Sequence, residues 1–92
     1  MSCRFRKNEH VIIREEQGGA FLFDPQTGNL KYMNPTGKEI FLMLETGNTE
    51  TEMVETFKRR YPEISSEQCR LDVQSFLKQL EENRFIIKLM GG

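Results

Sequence analysis

Around Asn34 the spacing of apolar residues changes from every second position to every third or fourth, and this switch constrains the fold more than any other feature of the chain. Before it lie three short runs, Val11-Ile12-Ile13, Ala20-Phe21-Leu22-Phe23 and Leu30-Lys31-Tyr32-Met33. Their β-branched and aromatic residues favour strands. The breakers between them are Gln17-Gly18-Gly19 and Asp24-Pro25-Gln26-Thr27-Gly28-Asn29. Proline suits an early turn position, and glycine and asparagine tolerate positive φ, so both read as tight turns. Three strands joined in this way predict an antiparallel meander.

After the switch, each helix is announced by its own capping chemistry. Asn34-Pro35 places a side-chain acceptor over free amides and a proline in the first turn. Ile40, Phe41 and Leu44 then share a face, and Gly47 is placed to end the helix. Thr49-Glu50-Thr51-Glu52 has the form of a capping box, followed by the stripe Met53, Val54, Phe57, Tyr61 and the stop Pro62. Ser65-Ser66-Glu67-Gln68 starts a third helix that carries Cys69, Val73, Phe76, Leu77 and Leu80 and runs to about Asn83. The expected class is therefore α+β and winged-helix-like, a three-stranded antiparallel sheet followed by three helices. Phe85-Ile86-Ile87 either packs on the core or adds a strand.

At 92 residues there is room for one core. The expected organisation is a flexible N-terminal tail over 1–10, a folded domain over 11–87 and a C-terminal tail over 88–92. The basic group Arg4, Arg6 and Lys7 reads as part of a frayed end, with an electrostatic handle for a partner as the other reading. The N-terminus lacks the apolar stretch of a signal peptide, and no run suffices to cross a bilayer. Cys3 and Cys69 read as reduced structural thiols, which suits a cytoplasmic setting.

Catalytic and metal chemistry find little support. The single histidine, His10, has no partner at ligand spacing and reads as a surface or edge residue. Phosphate-cradling glycine loops and a nucleophile elbow are absent. Carboxylates such as Glu81 and Glu82 beside Lys78 read as a solvated helix face. The chain is expected not to be an enzyme and to need no cofactor. Its Gly91-Gly92 end resembles that of ubiquitin-like sulfur carriers, but three consecutive helices do not fit their β-grasp fold.

A winged-helix outline serves either DNA or protein recognition, and charge separates the two. A helix entering the major groove needs cations to displace counterions. Here the third helix carries Glu67, Asp72, Glu81 and Glu82 against Arg70 and Lys78, and the net charge of the chain is −1. The basic cluster Lys58-Arg59-Arg60 complements a helix C-terminus instead. DNA binding is thus the alternative reading, and an adaptor that joins two proteins is a third. The favoured one starts from the sheet: if the outer edge of Leu30-Lys31-Tyr32-Met33 is open, an extended peptide can add to it as a strand. With Val73, Phe76 and Leu80 taken as core-facing, Arg70, Gln74 and Leu77 lie along a flank that would wall the groove. Tyr32 and Leu77 are equally explained as residues at the edge of the core.

The order of these segments resembles the PqqD-like family, also called precursor-peptide recognition elements. The matching residues are Met33-Asn34-Pro35-Thr36-Gly37-Lys38-Glu39-Ile40, then Leu44-Glu45-Thr46-Gly47-Asn48-Thr49. Asp72-Val73, Phe76-Leu77, Leu80 and Asn83-Arg84-Phe85-Ile86 complete the set, so the resemblance spans about residues 10 to 87. Where the family often has Asp-Gly after the first helix, this chain has Glu45-Thr46-Gly47. The resemblance implies binding of the leader of a ribosomally made precursor peptide by strand addition beside the third strand and against the third helix. It further implies presentation of the peptide to a modifying enzyme, frequently a radical S-adenosylmethionine enzyme, as in pyrroloquinoline quinone biosynthesis. The iron–sulfur cluster and nucleotide would belong to that enzyme. The peptide site expected here is Leu30, Lys31, Tyr32 and Met33 with Arg70, Gln74 and Leu77, on a monomer or weak dimer.

Overall fold

The computed structural model describes residues 4–89. Its elements are β1 (Arg4–Lys7), β2 (Ile12–Glu16), β3 (Gly19–Phe23), β4 (Leu30–Met33), α1 (Pro35–Glu45), α2 (Glu50–Arg60), α3 (Ser66–Glu82) and β5 (Ile86–Leu89). Strands β2, β3 and β4 form the expected antiparallel meander in that spatial order. Gly18 and Gly28 take positive φ in the two turns. In the second turn the Asp24 carboxylate accepts the Gln26 amide at 2.8 Å and the Thr27 amide at 3.3 Å.

The helix starts are those written in the sequence. Asn34 Oδ1 accepts the Gly37 amide at 2.8 Å, and Ser65 Oγ accepts the Gln68 amide at 3.1 Å. Thr49 and Glu52 close a reciprocal box, Thr49 N–H donating to Glu52 Oε1 at 2.6 Å. The Thr49 amide and hydroxyl hold the Glu52 carboxyl below its ordinary range. Gly47 ends α1 at φ 86°. Arg84 does the same for α3 at φ 62°, with Arg84 N–H on the Glu81 carbonyl and Phe85 N–H on the Leu80 carbonyl. This is the Schellman arrangement without its usual glycine.

Two expectations fail at the chain ends. Residues 4–7, assigned from sequence to a flexible tail, form β1, and Lys88 and Leu89, assigned to the C-terminal tail, lie in β5. These strands pair antiparallel, Phe5 opposite Lys88 and Lys7 opposite Ile86. Asn8 fastens the join, its amide donating to the Phe85 carbonyl at 3.0 Å and its side chain to the Arg84 carbonyl at 2.5 Å. Phe5 and Ile86 enter the core from this second sheet. Cys3 and Gly91-Gly92 lie outside the described residues.

The core lies between the inner face of the meander and the helices. Leu22, Met33, Phe41, Leu44, Met53, Val73, Leu80 and Phe85 are fully enclosed there. Helix α1 packs on β1 and β3, and α2 packs on α3. No helix of the described residues is long and apolar enough to cross a membrane.

Among the described residues Asp24 is the buried polar exception. Its Oδ1 lies 3.2 Å from Nε2 of His10, which makes the histidine a partner of the β3–β4 turn rather than a bare edge residue. Burial alone would raise the Asp24 carboxyl, but the Gln26 amide, His10 and the Thr27 amide together leave it below its ordinary value of 3.8. A carboxyl depressed by folding contributes stability above its unfolded value, and that contribution is lost as pH falls through the folded one. Thermal melts between pH 7 and 2 therefore show the wild type losing stability steeply below about pH 4, where Asp24→Asn gives a flatter curve. Parallel curves for the two proteins would exclude the ionised Asp24 as a stabilising group.

Candidate peptide-binding site

Strand β4 is an edge. Among the described residues it is bonded on one side, to β3, in the register Phe23–Leu30, Leu22–Lys31, Phe21–Tyr32 and Ala20–Met33. The Asp24 amide donates to the Asn29 carbonyl at 2.9 Å, one step beyond the Phe23–Leu30 pair. Bonded pairs alternate along an antiparallel ladder. Lys31 and Met33 therefore turn their main-chain groups toward β3, whereas Leu30 and Tyr32 turn theirs to the open edge. Side chains alternate as well: Met33 is buried on the inner face, while Leu30 and Tyr32 are exposed on the outer one.

Beside this edge runs a cleft of about 370 Å³ between β4, the start of α1, the end of α2 and α3. Met33 and Ile40 line it from the core side. Phe57, Tyr61 and Ile64 close one end, where the Phe57 and Tyr61 rings lie 5.1 Å apart and Tyr61 is hydrogen-bonded to Thr36. Phe76 and Asp72 of α3 form the wall facing β4. A β-carbon at position 37 would sit 3.3 Å from the Phe76 ring, so Gly37 lets that ring lie close against α1. The lining is mostly apolar, with one cation and one anion. The Lys31 ammonium reaches across to Gln79 at 3.4 Å, and Asp72 accepts from Gln68 at 2.8 Å.

Of the seven expected site residues, the structure brings four together and separates three. Leu30, Lys31, Tyr32 and Met33 occupy the edge and the cleft as described. Leu77 is core, 2% exposed, and Phe76, which the sequence reading buried, stands half-buried in the cleft instead. Arg70 is paired with Glu67 at 2.5 Å. Gln74 donates to Glu50 at 3.3 Å, which places its flank of α3 against α2 and away from β4. The residues that sequence reasoning missed are Asp72, Phe76 and Gln79. They recur at i, i+4 and i+7, so the second flank of the same helix was visible as a face.

This surface is poorly suited to a nucleic acid. The α3 flank that faces the cleft carries Asp72, and of the basic cluster at the end of α2, Lys58 donates to the Pro62 and Ile64 carbonyls while Arg60 pairs with Glu39 at 2.6 Å.

A family model described as coenzyme PQQ synthesis protein D (PqqD) matches residues 9–86. No curated protein sequence gives a significant match. Among solved structures, TbiB1 in complex with the TbiA(beta) leader peptide superposes with a TM-score of 0.83 at 20% identity, covering 94% of this chain and 99% of that one. A lasso peptide synthetase B1 complexed with the leader peptide also gives 0.83 at 20% identity, covering 91% and 98%. At that identity the likeness establishes a shared fold.

Proposed function

The chain belongs to the PqqD family, and from that premise we propose that it binds the leader segment of a precursor peptide by strand addition and presents it to a modifying enzyme. The observation that carries this reading is the unpaired edge of β4 lying directly beside an apolar cleft. An incoming strand would take its main-chain bonds from Leu30 and Tyr32, and alternate side chains would descend into the cleft against Phe76, Ile40 and Met33. Lys31 and Asp72 would select charge at the cleft margin. Both solved structures of this fold hold leader peptides, which supports a leader peptide as the ligand, and the β4 edge is where this chain's own geometry offers it a place.

Presentation is a non-catalytic role, and a radical S-adenosylmethionine enzyme is the partner proposed, in the cytoplasm. Any cluster or nucleotide would belong to that enzyme. Arg70, Gln74 and Leu77 are not part of the proposed contact.

The test is a fluorescence anisotropy titration. The probe is a labelled synthetic peptide copying the N-terminal segment of the short open reading frame nearest this chain's gene. A leader that is disordered when free loses part of its contact energy to ordering, so a dissociation constant on the order of 1 μM is expected. Phe76→Ala removes one aromatic wall and weakens binding about tenfold, in keeping with partial loss of an aromatic contact surface. Absence of binding at high micromolar protein, or full affinity in Phe76→Ala, would overturn the assignment.

A further inference from the structure

The outer face of the meander is left without a covering element, and it is apolar. In the observed register Ile12, Phe23 and Leu30 form one row across the three strands, and Arg14, Phe21 and Tyr32 form the next. Ile12 is 55% exposed, Leu30 63%, Tyr32 52% and Phe23 38%. Phe21 rests against Tyr32 with ring centroids 5.2 Å apart. A sheet with one face on a core normally turns polar side chains to water on the other. Here the exposed apolar area is on the order of 500 Å², at the upper end of what a monomer carries.

The geometry points to this face as a two-fold interface with a second copy of the chain. Sheets that pack face to face keep their strands nearly aligned. A two-fold axis parallel to the strands and passing over β3 sets Phe21 and Phe23 against their counterparts. It also lays β2 of each copy over β4 of the other. Ile12 then meets Leu30, and the Arg14 guanidinium meets the ring of Tyr32, each contact occurring twice as an isologous interface requires. Arg14 is free to make that move, because it is 80% exposed and held only by a 3.8 Å contact with Glu16. A cation over an aromatic ring is attractive. The two patches together bury on the order of 1,000 Å², the lower limit for a specific interface, so a weak dimer is the form that fits. The main-chain edge of β4 is not consumed, and the inference stands independently of peptide binding.

Sedimentation velocity of the full chain over about 1–300 μM tests it, a range suited to an interface at that lower limit. The expected result is a reversible monomer–dimer equilibrium. Ile12→Glu, which would bury a carboxylate against Leu30 of the other copy, raises the dissociation constant at least about 30-fold. Should Ile12→Glu melt early, Arg14→Ala provides the second readout, with a rise of about threefold to tenfold. A wild type that stays monomeric throughout overturns the proposal, as does a dimer that neither substitution weakens. A monomer whose Ile12→Glu variant loses affinity for a purified modifying enzyme also overturns it and assigns the face to that enzyme. Within one copy Ile12 lies on β2, two strands from the β4 edge, so peptide titrations on Ile12→Glu at protein concentrations where the wild type is monomeric keep wild-type affinity, and a failure of either reading is told apart from a failure of the other.

Discussion

Replacing Tyr32 with proline abolishes peptide binding while leaving the domain folded. The amide at position 32 points to the open edge, so its removal breaks no bond between β3 and β4. What is lost is a donor that an added strand needs, and the pyrrolidine ring occupies the space where that strand's backbone would lie. An unpaired carbonyl in a desolvated ladder costs about 1–3 kcal/mol, and the steric term adds to it, so affinity falls by roughly 100-fold or more. Folding loses the contact between Tyr32 and Phe21, about 0.5–1.5 kcal/mol, and the long hydrogen bond from the Tyr32 hydroxyl to the Gly18 carbonyl at 3.4 Å. The control is Lys31→Pro, which removes a bond to β3 and disrupts the meander itself. Anisotropy titration beside a circular dichroism melt separates the two, and a Tyr32→Pro protein with wild-type affinity would rule out strand addition at β4.

Leu77→Ala has the opposite profile and a comparably large effect. Leu77 is 2% exposed within the core cluster that joins α3 to the sheet and α1. Truncating a buried leucine leaves a cavity and costs about 2–5 kcal/mol. Small domains have only about 5–15 kcal/mol in total, and each kcal/mol shifts the melting temperature of a domain this size by about 4–8 °C. A fall of about 8 °C or more is therefore expected, the lower bound being about 2 kcal/mol at the least sensitive end of that scale. The affinity of the molecules that remain folded is unchanged, because Leu77 is not among the residues that line the cleft. Phe76→Ala lowers affinity with a smaller loss of stability. If the effects of Leu77→Ala and Phe76→Ala were exchanged, the rotational setting of α3 described here would be wrong.

That pair also explains where the sequence misled. At 100° per residue, Cys69, Val73 and Leu80 define the axis along which α3 faces the core. Phe76 and Leu77 fall on opposite sides of it, roughly 40° and 60° away, so periodicity ranks them almost equally. Arg70 and Gln74 lie beyond Leu77, and Asp72 and Gln79 lie beyond Phe76. A helix seen alone has two such flanks, and its pattern does not say which one meets the edge of the sheet. Packing against α2, marked by Gln74 on Glu50, takes the first flank and leaves the second to β4.

The three meander strands, all three helix starts and the stops at Gly47 and Pro62 were legible from residues 11 to 83. Each depends on neighbours within a few positions: a capping side chain, a turn glycine, an alternation of apolar residues. The β1–β5 pair was not legible. Arg4-Phe5-Arg6-Lys7 has one apolar residue and no breaker pattern of its own, and it becomes a strand only because Ile86–Leu89 supplies the bonds from the far end of the chain. Local chemistry thus determined which segments form elements and that β4 has the composition of an edge. Tertiary packing alone decided that this edge stays unpaired, that α3 turns Phe76 toward it, and that the outer sheet face is left bare, because each of those outcomes depends on contacts between residues that no sequence window brings together.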